Sequence, residues 1–214
     1  MYDVAIINYE MGNLYSVSSA CNNAGLKSII TNEESTILKS KSIILPGVGC
    51  FKQAMENIKK KKLDKTLLIF FKTGKPIIGI CLGMQLFFER SDELGGSNGL
   101  GLIKGEVISN SKYFFNKNNE HLNIGWNEIF FQKKNNLLKN CNNSSRMYFI
   151  HSYFCKPKNK EIISSESKIN DEIFCSSISY RNIECFQFHP EKSGKEGLKI
   201  YSSLKNKINS CPQY

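Results

Sequence analysis

The run Pro76-Ile77-Ile78-Gly79-Ile80 is apolar throughout, short, and bracketed by segments of helical pattern. A strand without alternation is buried on both faces, as happens in parallel sheets covered by helices on both sides. Neighbouring segments agree. Val4–Ile7, Ser28–Thr31 and Ser42–Leu45 read as further short strands, the last closed by Pro46-Gly47. Leu14–Ala24 reads as a helix capped by Asn13 and stopped by Gly25. Phe51–Lys61 and Leu63–Lys72 are helical in pattern, and a helix over Met84–Arg90 is expected after the Pro76–Ile80 strand. This alternation predicts an α/β chain with a mostly parallel sheet and helices on both faces.

After Ser91 the texture changes. Gly95-Gly96, Gly99, Gly101 and Gly105 mark turns between short strands such as Glu106–Ser109, Met147–Ile150, Ile173–Ile178 and Glu184–Phe188. These predict a smaller antiparallel region in the second half. The Asn- and Lys-rich stretches 110–119 and 133–143 read as exposed loops, and Glu196–Lys207 as a closing helix. No repeat or linker interrupts the 214 residues, so residues 1–214 are expected to form a single domain.

Composition narrows the function classes. The formal charge is +10, but the lysines are spread along the chain apart from a cluster at Lys59–Lys62. No nucleic-acid-binding signature accompanies them, so no nucleic-acid partner is expected. The N-terminus lacks the pattern of a signal peptide, and apolar runs such as Leu67–Phe71 are too short to span a bilayer. A cytoplasmic protein is expected. The eight cysteines, at 21, 50, 81, 141, 155, 175, 185 and 211, are scattered without a CxxC pair. Free thiols, mostly small buried residues, are the reading, with no metal site and no cofactor.

One cysteine stands apart. Gly79-Ile80-Cys81-Leu82-Gly83 is a Gly-x-nucleophile-x-Gly elbow between strand and helix, with Cys in the nucleophile position. Such a turn crowds its neighbours, which the glycines relieve, and lifts the sulfur to the carboxyl edge of the sheet. The expected helix N-terminus favours thiolate, and the next N–H, from Leu82, is placed to hold an oxyanion. Alone, the pentapeptide is equally a buried cysteine at a turn. A thiol nucleophile needs a base and an orienting partner. The chain has three histidines, 121, 151 and 189. In His189-Pro190-Glu191 the two ionisable side chains are two residues apart in an extended step and point the same way. His151, after Tyr148-Phe149-Ile150, is a rival base; His121 lies in a polar region. Pro46-Gly47-Val48-Gly49 can present N–H groups as the other side of an oxyanion hole.

Taken together, Ile44–Gly49, Gly79–Gln85 and Gln187–Gly194 resemble the class I (triad) glutamine amidotransferases. Within that class, Met11–Leu14, Gly99–Ile103, Gly125–Asn127 and Tyr148–Tyr153 are similar to the glutaminase subunits of imidazole glycerol phosphate synthases, of histidine biosynthesis. The resemblance runs from residue 3 to about residue 207. It implies the single-domain, flavodoxin-like fold of that class. It further implies that Cys81 attacks the side-chain amide of glutamine, His189 transfers the proton and Glu191 orients His189. The N–H groups of Leu82 and of Val48 or Gly49 hold the oxyanion. Gln85 and Glu93 match glutamine-binding positions, with Ser152 and Tyr153 contributing through their backbone. Asn13, Trp126, Tyr148 and Lys192 match positions facing the synthase partner, a (β/α)8-barrel cyclase that forms a heterodimer with the chain and consumes the ammonia.

Several positions depart from the family pattern. Asn8-Tyr9-Glu10 stands for a usual Asp-Tyr-Gly, Tyr15 for a common Arg, Cys50 for a small Ala and Leu94 for a Gly. Phe174-Cys175-Ser176-Ser177-Ile178 is similar to paralogues that feed ammonia to an enzyme modifying sugars of bacterial surface polysaccharides, which would be a different partner. The same fold also accommodates a non-catalytic binding protein or a freestanding hydrolase.

Overall fold

A computed structural model describes residues 1–113, 122–133, 135–169 and 172–210. His121, Cys211 and most of the 110–119 stretch lie outside the described residues. The first half winds as β1 (Val4–Ile7), α1 (Leu14–Asn23), β2 (Ser28–Thr31), α2 (Glu34–Lys39), β3 (Ser42–Gly47), α3 (Phe51–Lys60), α4 (Leu63–Lys72), β4 (Ile77–Cys81) and α5 (Leu82–Gln85). Then come β5 (Phe88–Ser91), β6 (Ser97–Asn98), β7 (Ile103–Ser109), α6 (Asn110–Tyr113), β8 (Asn123–Glu128) and β9 (Phe130–Phe131). The chain closes with β10 (Arg146–His151), β11 (Tyr153–Pro157), β12 (Ile163–Ile169), β13 (Glu172–Tyr180), β14 (Ile183–Phe186) and α7 (Gly194–Ser210).

The main sheet runs β2-β1-β3-β4-β14-β13-β12-β9. It is parallel from β2 to β14 and antiparallel from β14 to β9. Two smaller sheets, β10-β8 and β11-β7-β5-β6, complete the second half. Strand pleating explains the two cores. Ala5, Ile7, Ile43, Leu45 and Ile77 point to one face, where Ile37, Met55, Ile58, Leu67 and Phe70 of α2 to α4 cover them. Val4, Ile6, Ile44, Ile78 and Ile80 point to the other, against Val17 and Cys21 of α1 and Ile200 and Leu204 of α7. Each fully buried side chain of this size contributes about 1.5–3 kcal/mol. The continuous apolar runs are thus strands sandwiched between helical layers.

Two expectations are corrected. No helix spans Met84–Arg90: α5 is a single turn, and Phe88–Ser91 is a strand that pairs with β6 and β7. The apolar triplet Leu86-Phe87-Phe88 is too short for its pattern to separate helix from strand, and tertiary pairing decides. The 133–143 stretch is not wholly an exposed loop. Leu137, Leu138 and Cys141 are buried, and the Leu137 N–H donates to Glu184 while Asn135 accepts from the Leu138 N–H. The seven described cysteines are free thiols, and all but Cys50 are buried. Among the described residues, no helix is long and apolar enough to cross a membrane.

Candidate active site

The carboxyl ends of β3, β4 and β14 converge at one edge of the sheet, since all three run the same way. Cys81 is the last residue of β4 and lies opposite Gly47 of β3. Its backbone stands at φ 54°, ψ −112°, outside the regions an L-residue prefers, at a cost of about 1–3 kcal/mol. The flanking glycines permit the turn by their lack of a side chain. A Cβ on Gly83 would fall 1.7 Å from the Leu45 carbonyl oxygen, and one on Gly79 2.6 Å from the Cys185 sulfur. Because α5 is a single turn, its macrodipole is small and adds little favour toward negative charge at the sulfur.

On β3, the Tyr9 hydroxyl donates to the Pro46 carbonyl at 2.7 Å, and a Cβ on Gly47 would meet that hydroxyl at 2.1 Å. Burial holds the Tyr9 phenol protonated, so it remains a donor that pins the start of the Val48-Gly49 loop. Val48 is partly exposed, and Gly49 has φ +105°, which an L side chain rarely adopts. Beyond the loop, Glu93 accepts from the Phe51 N–H at 2.5 Å, tying its own turn to the start of α3. Glu10 and Leu94, two of the departures from the family pattern, both stand at positive φ, 69° and 48°. The glycine usual in the family adopts that conformation without a steric penalty.

His189 and Glu191 meet as a buried pair. Nδ1 of His189 lies 2.6 Å from Oε1 of Glu191, and both side chains are 2 % exposed. A carboxylate accepts, so Nδ1 carries a proton, and Nε2 is the nitrogen left to meet the sulfur. Nε2 is buried and forms no hydrogen bond of ordinary geometry, yet the sulfur of Cys81 is near enough to weigh on the imidazole. Catalytic hydrogen bonds are often unformed in resting sites and tighten with substrate. Burial pulls the His189 pKa down, but the sulfur and the Glu191 carboxylate outweigh it and push it up to about 10. The backbone is anchored too. The His189 N–H donates to the Tyr148 carbonyl at 2.9 Å, and the Ser193 hydroxyl donates to the His189 carbonyl at 2.6 Å.

His151, the rival base, is already engaged. One ring nitrogen lies 3.0 Å from the Tyr153 carbonyl and the other 2.9 Å from Nδ2 of Asn123. A carbonyl only accepts and an amide nitrogen only donates, so His151 is neutral, with its proton on Nδ1. Burial lowers its pKa to about 3, with the Tyr153 bond opposing and the charge of His189 adding to the fall. Stability therefore depends on pH. The unfolded chain protonates His151 near pH 6.5 and the folded chain only near pH 3, so stability falls as pH drops through that window. The slope from this one group reaches about 1.4 kcal/mol per pH unit. Urea unfolding at several pH values in this range measures it. The slope is shallower in a His151→Gln variant; an unchanged slope contradicts a buried neutral imidazole.

The other expected site residues divide into two groups. Gln85, Ser152 and Tyr153 line the region beside the elbow, but their polar groups are partly spent inward. The Gln85 amide donates to the Tyr153 carbonyl at 2.9 Å and to Gln187 at 3.1 Å. The Ser152 carbonyl accepts from the Asn110 N–H at 2.8 Å. Asn13, Trp126, Tyr148 and Lys192 lie outside the triad. Asn13 caps α1 by accepting from the Ser16 N–H at 3.1 Å. Trp126 is 46 % exposed and packs edge-on to Tyr148, with ring centroids 6.0 Å apart; Lys192 lies 5.8 Å over the Tyr148 ring. Since Tyr148 also holds the His189 backbone, this aromatic surface connects directly to the triad. Gln187 and Ser193 lie inside the Gln187–Gly194 motif, but the sequence assigns neither a role at the site. Among the described residues no group of three or more His, Cys, Asp or Glu is arranged to hold a metal ion.

A family model described as glutamine amidotransferase class-I matches residues 5–205. The chain is 42% identical over 203 residues to the imidazole glycerol phosphate synthase subunit HisH of Wolinella succinogenes, covering 95% of this chain and 97% of that one. It is 38% identical to the HisH subunit of Aquifex aeolicus, covering 94% of this chain and 95% of that one. A solved structure of PurLQS from Thermotoga maritima shares the fold, with a TM-score of 0.72 at 16% identity over 97% of this chain and 100% of that chain.

Proposed function

The chain belongs to the class-I glutamine amidotransferase family, and from that membership we propose that it hydrolyses glutamine with Cys81, His189 and Glu191 and delivers the ammonia to a synthase partner. The observation that carries the reading is the protonated Nδ1 of His189 on Glu191, which leaves Nε2 for a sulfur held at a strained elbow. The sulfur attacks the side-chain carbonyl carbon of glutamine, and the carbonyl electron pair moves to oxygen. The N–H groups of Leu82 and of Val48 or Gly49 hold that oxyanion. His189 passes the sulfur's proton to the amide nitrogen, the C–N bond breaks, and ammonia leaves a glutamyl thioester. Water then attacks the thioester, giving its proton to His189, and glutamate departs as Cys81 is restored. Gln85, Glu93, Ser152 and Tyr153 hold the amino-acid end of the substrate.

The partner in this reading is the cyclase (β/α)8 barrel that makes imidazole glycerol phosphate and AICAR in histidine biosynthesis, with the whole chain acting as one cytoplasmic amidotransferase domain. The docking face is the surface of Asn13, Trp126, Tyr148 and Lys192. The feature similar to the polysaccharide-linked paralogues favours no other partner. Phe174 to Ile178 are buried in β13, where Phe174 packs on Phe149 and the Ser176 and Ser177 hydroxyls bond to Ser165. A core stretch of this kind makes no contact with a docked subunit. Ammonia release from glutamine, measured with and without the cyclase, tests the proposal. Slow release alone and faster release with the cyclase is expected; no release in either condition, with Cys81 unmodified, contradicts it.

A further inference from the structure

The triad leaves one buried polar side chain beside the sulfur unassigned. Gln187 is fully buried and sits two residues before His189. Its Nε2 lies 3.7 Å from the Cys81 sulfur, and its Oε1 accepts from Gln85. The orientation of both amides follows from one backbone group. The Tyr153 carbonyl only accepts, so the nitrogen of Gln85 must face it. That same nitrogen faces Gln187, so Gln187 turns its oxygen toward Gln85 and its nitrogen toward the sulfur. The chain of donors is therefore polarised from Tyr153 to Cys81.

The sulfur has a second neighbour of opposite effect. It lies 3.7 Å from the Ile150 carbonyl, which accepts from a neutral thiol and repels an anion. Of these two contacts the Gln187 N–H favours the ionised sulfur, and it acts beside the neighbouring His189 imidazole. We propose that Gln187 is a positioning residue for Cys81: its amide, aimed by Gln85, donates to the sulfur and favours the anionic nucleophile. The inference rests on Cys81 being the nucleophile, and it adds that the second glutamine of the site, and not only the histidine, prepares it. Gln85 then has two duties, lining the glutamine site and fixing the Gln187 amide.

The pH dependence of Cys81 alkylation by iodoacetamide tests this. Mass spectrometry of the Cys81 peptide reads the rate in the purified chain for the unaltered protein, Gln187→Met and Gln187→Glu. Methionine fills a similar volume without a donor; glutamate keeps the acceptor for Gln85 and replaces the donor with a negative charge. At neutral pH both variants are expected to alkylate about ten- to a hundredfold more slowly, the range covered by a hydrogen bond to a charged group, with reactivity shifted to higher pH. Unchanged rates and pH profiles in variants with normal circular dichroism overturn the proposal, since a residue that only fills space leaves the profile where it was. If neither variant folds, the unaltered chain answers through the side-chain amide protons of Gln187 in NMR. They move as Cys81 titrates and stay still in Cys81→Ala; signals indifferent to that titration overturn the proposal. Alkylation needs no glutamine. A failed glutaminase assay with a normal alkylation profile therefore counts against the proposed activity and not against this assignment.

Discussion

Replacing Cys81 by Ala lowers glutamine hydrolysis by at least about a thousandfold, while the chain stays folded. The size follows from the role, because losing the covalent nucleophile of a triad costs about a thousandfold to a millionfold in rate. The fold survives because little of it depends on the sulfur. Its polar contacts, to the Ile150 carbonyl and from Gln187, are both 3.7 Å long. The strained backbone at φ 54° is imposed by Gly79, Gly83 and the approach of β3, and none of these changes with the side chain. Ammonia release with the cyclase present reads the first half of the prediction, and thermal unfolding reads the second. Activity within tenfold of the unaltered chain contradicts the assignment of Cys81.

Glu191→Gln produces the second large loss, about ten-thousandfold in turnover, by analogy with the carboxylate of other triads. Two groups raise the His189 pKa against the pull of burial: the sulfur of Cys81 and the carboxylate of Glu191. Removing the carboxylate's charge leaves burial less opposed, so the imidazole's pKa falls from about 10. The protonated imidazole that must give its proton to departing ammonia is then harder to form. A neutral amide also accepts or donates according to its flip, so it no longer dictates that Nδ1 holds the proton. Turnover and its pH dependence are the readouts. The expected signature is a fall in kcat with KM for glutamine nearly unchanged, because Glu191 is buried against the histidine. A loss smaller than tenfold contradicts the role given to Glu191.

The parts of this site that were legible in the sequence are those encoded over a few residues. The elbow at Cys81, the His189-Pro190-Glu191 step and the Pro46–Gly49 turn each carry their geometry locally, through glycine, proline and strand periodicity. The parallel sheet was legible because strands buried on both faces are apolar at every position. What hid was what depends on partners far along the chain. Strand β12 reads Ile-Ser-Ser-Glu-Ser-Lys-Ile, with no apolar alternation to announce it, yet Ser164, Ser165 and Ser167 are buried. The Ser165 hydroxyl bonds with those of Ser176 and Ser177, and the Ser167 hydroxyl donates to the Glu128 carbonyl. Burial of that kind is invisible to a hydrophobic pattern. The false helix over Met84–Arg90 came from an apolar run compatible with either structure; the partners that make Phe88–Ser91 a strand come later in the chain, at Ser97–Asn98 and Ile103–Ser109. The choice between His151 and His189 as base was open for the same reason. What sets the two apart is their partners, Asn123 and Tyr153 for His151 and Glu191 for His189, residues whose proximity only the fold creates. Gln187 escapes notice because one polar residue in a strand is ordinary until Gln85 and Cys81 are seen on either side of it.

On the proposed mechanism, catalysis proceeds through a covalent bond to the sulfur of Cys81. Quenching the complex in acid during turnover of isotope-labelled glutamine, then weighing the Cys81 peptide, tests it most directly. A labelled glutamyl thioester is expected on that peptide, and none when Cys81 is Ala. Steady ammonia release with no adduct at Cys81, and with the Ala variant equally active, would contradict it.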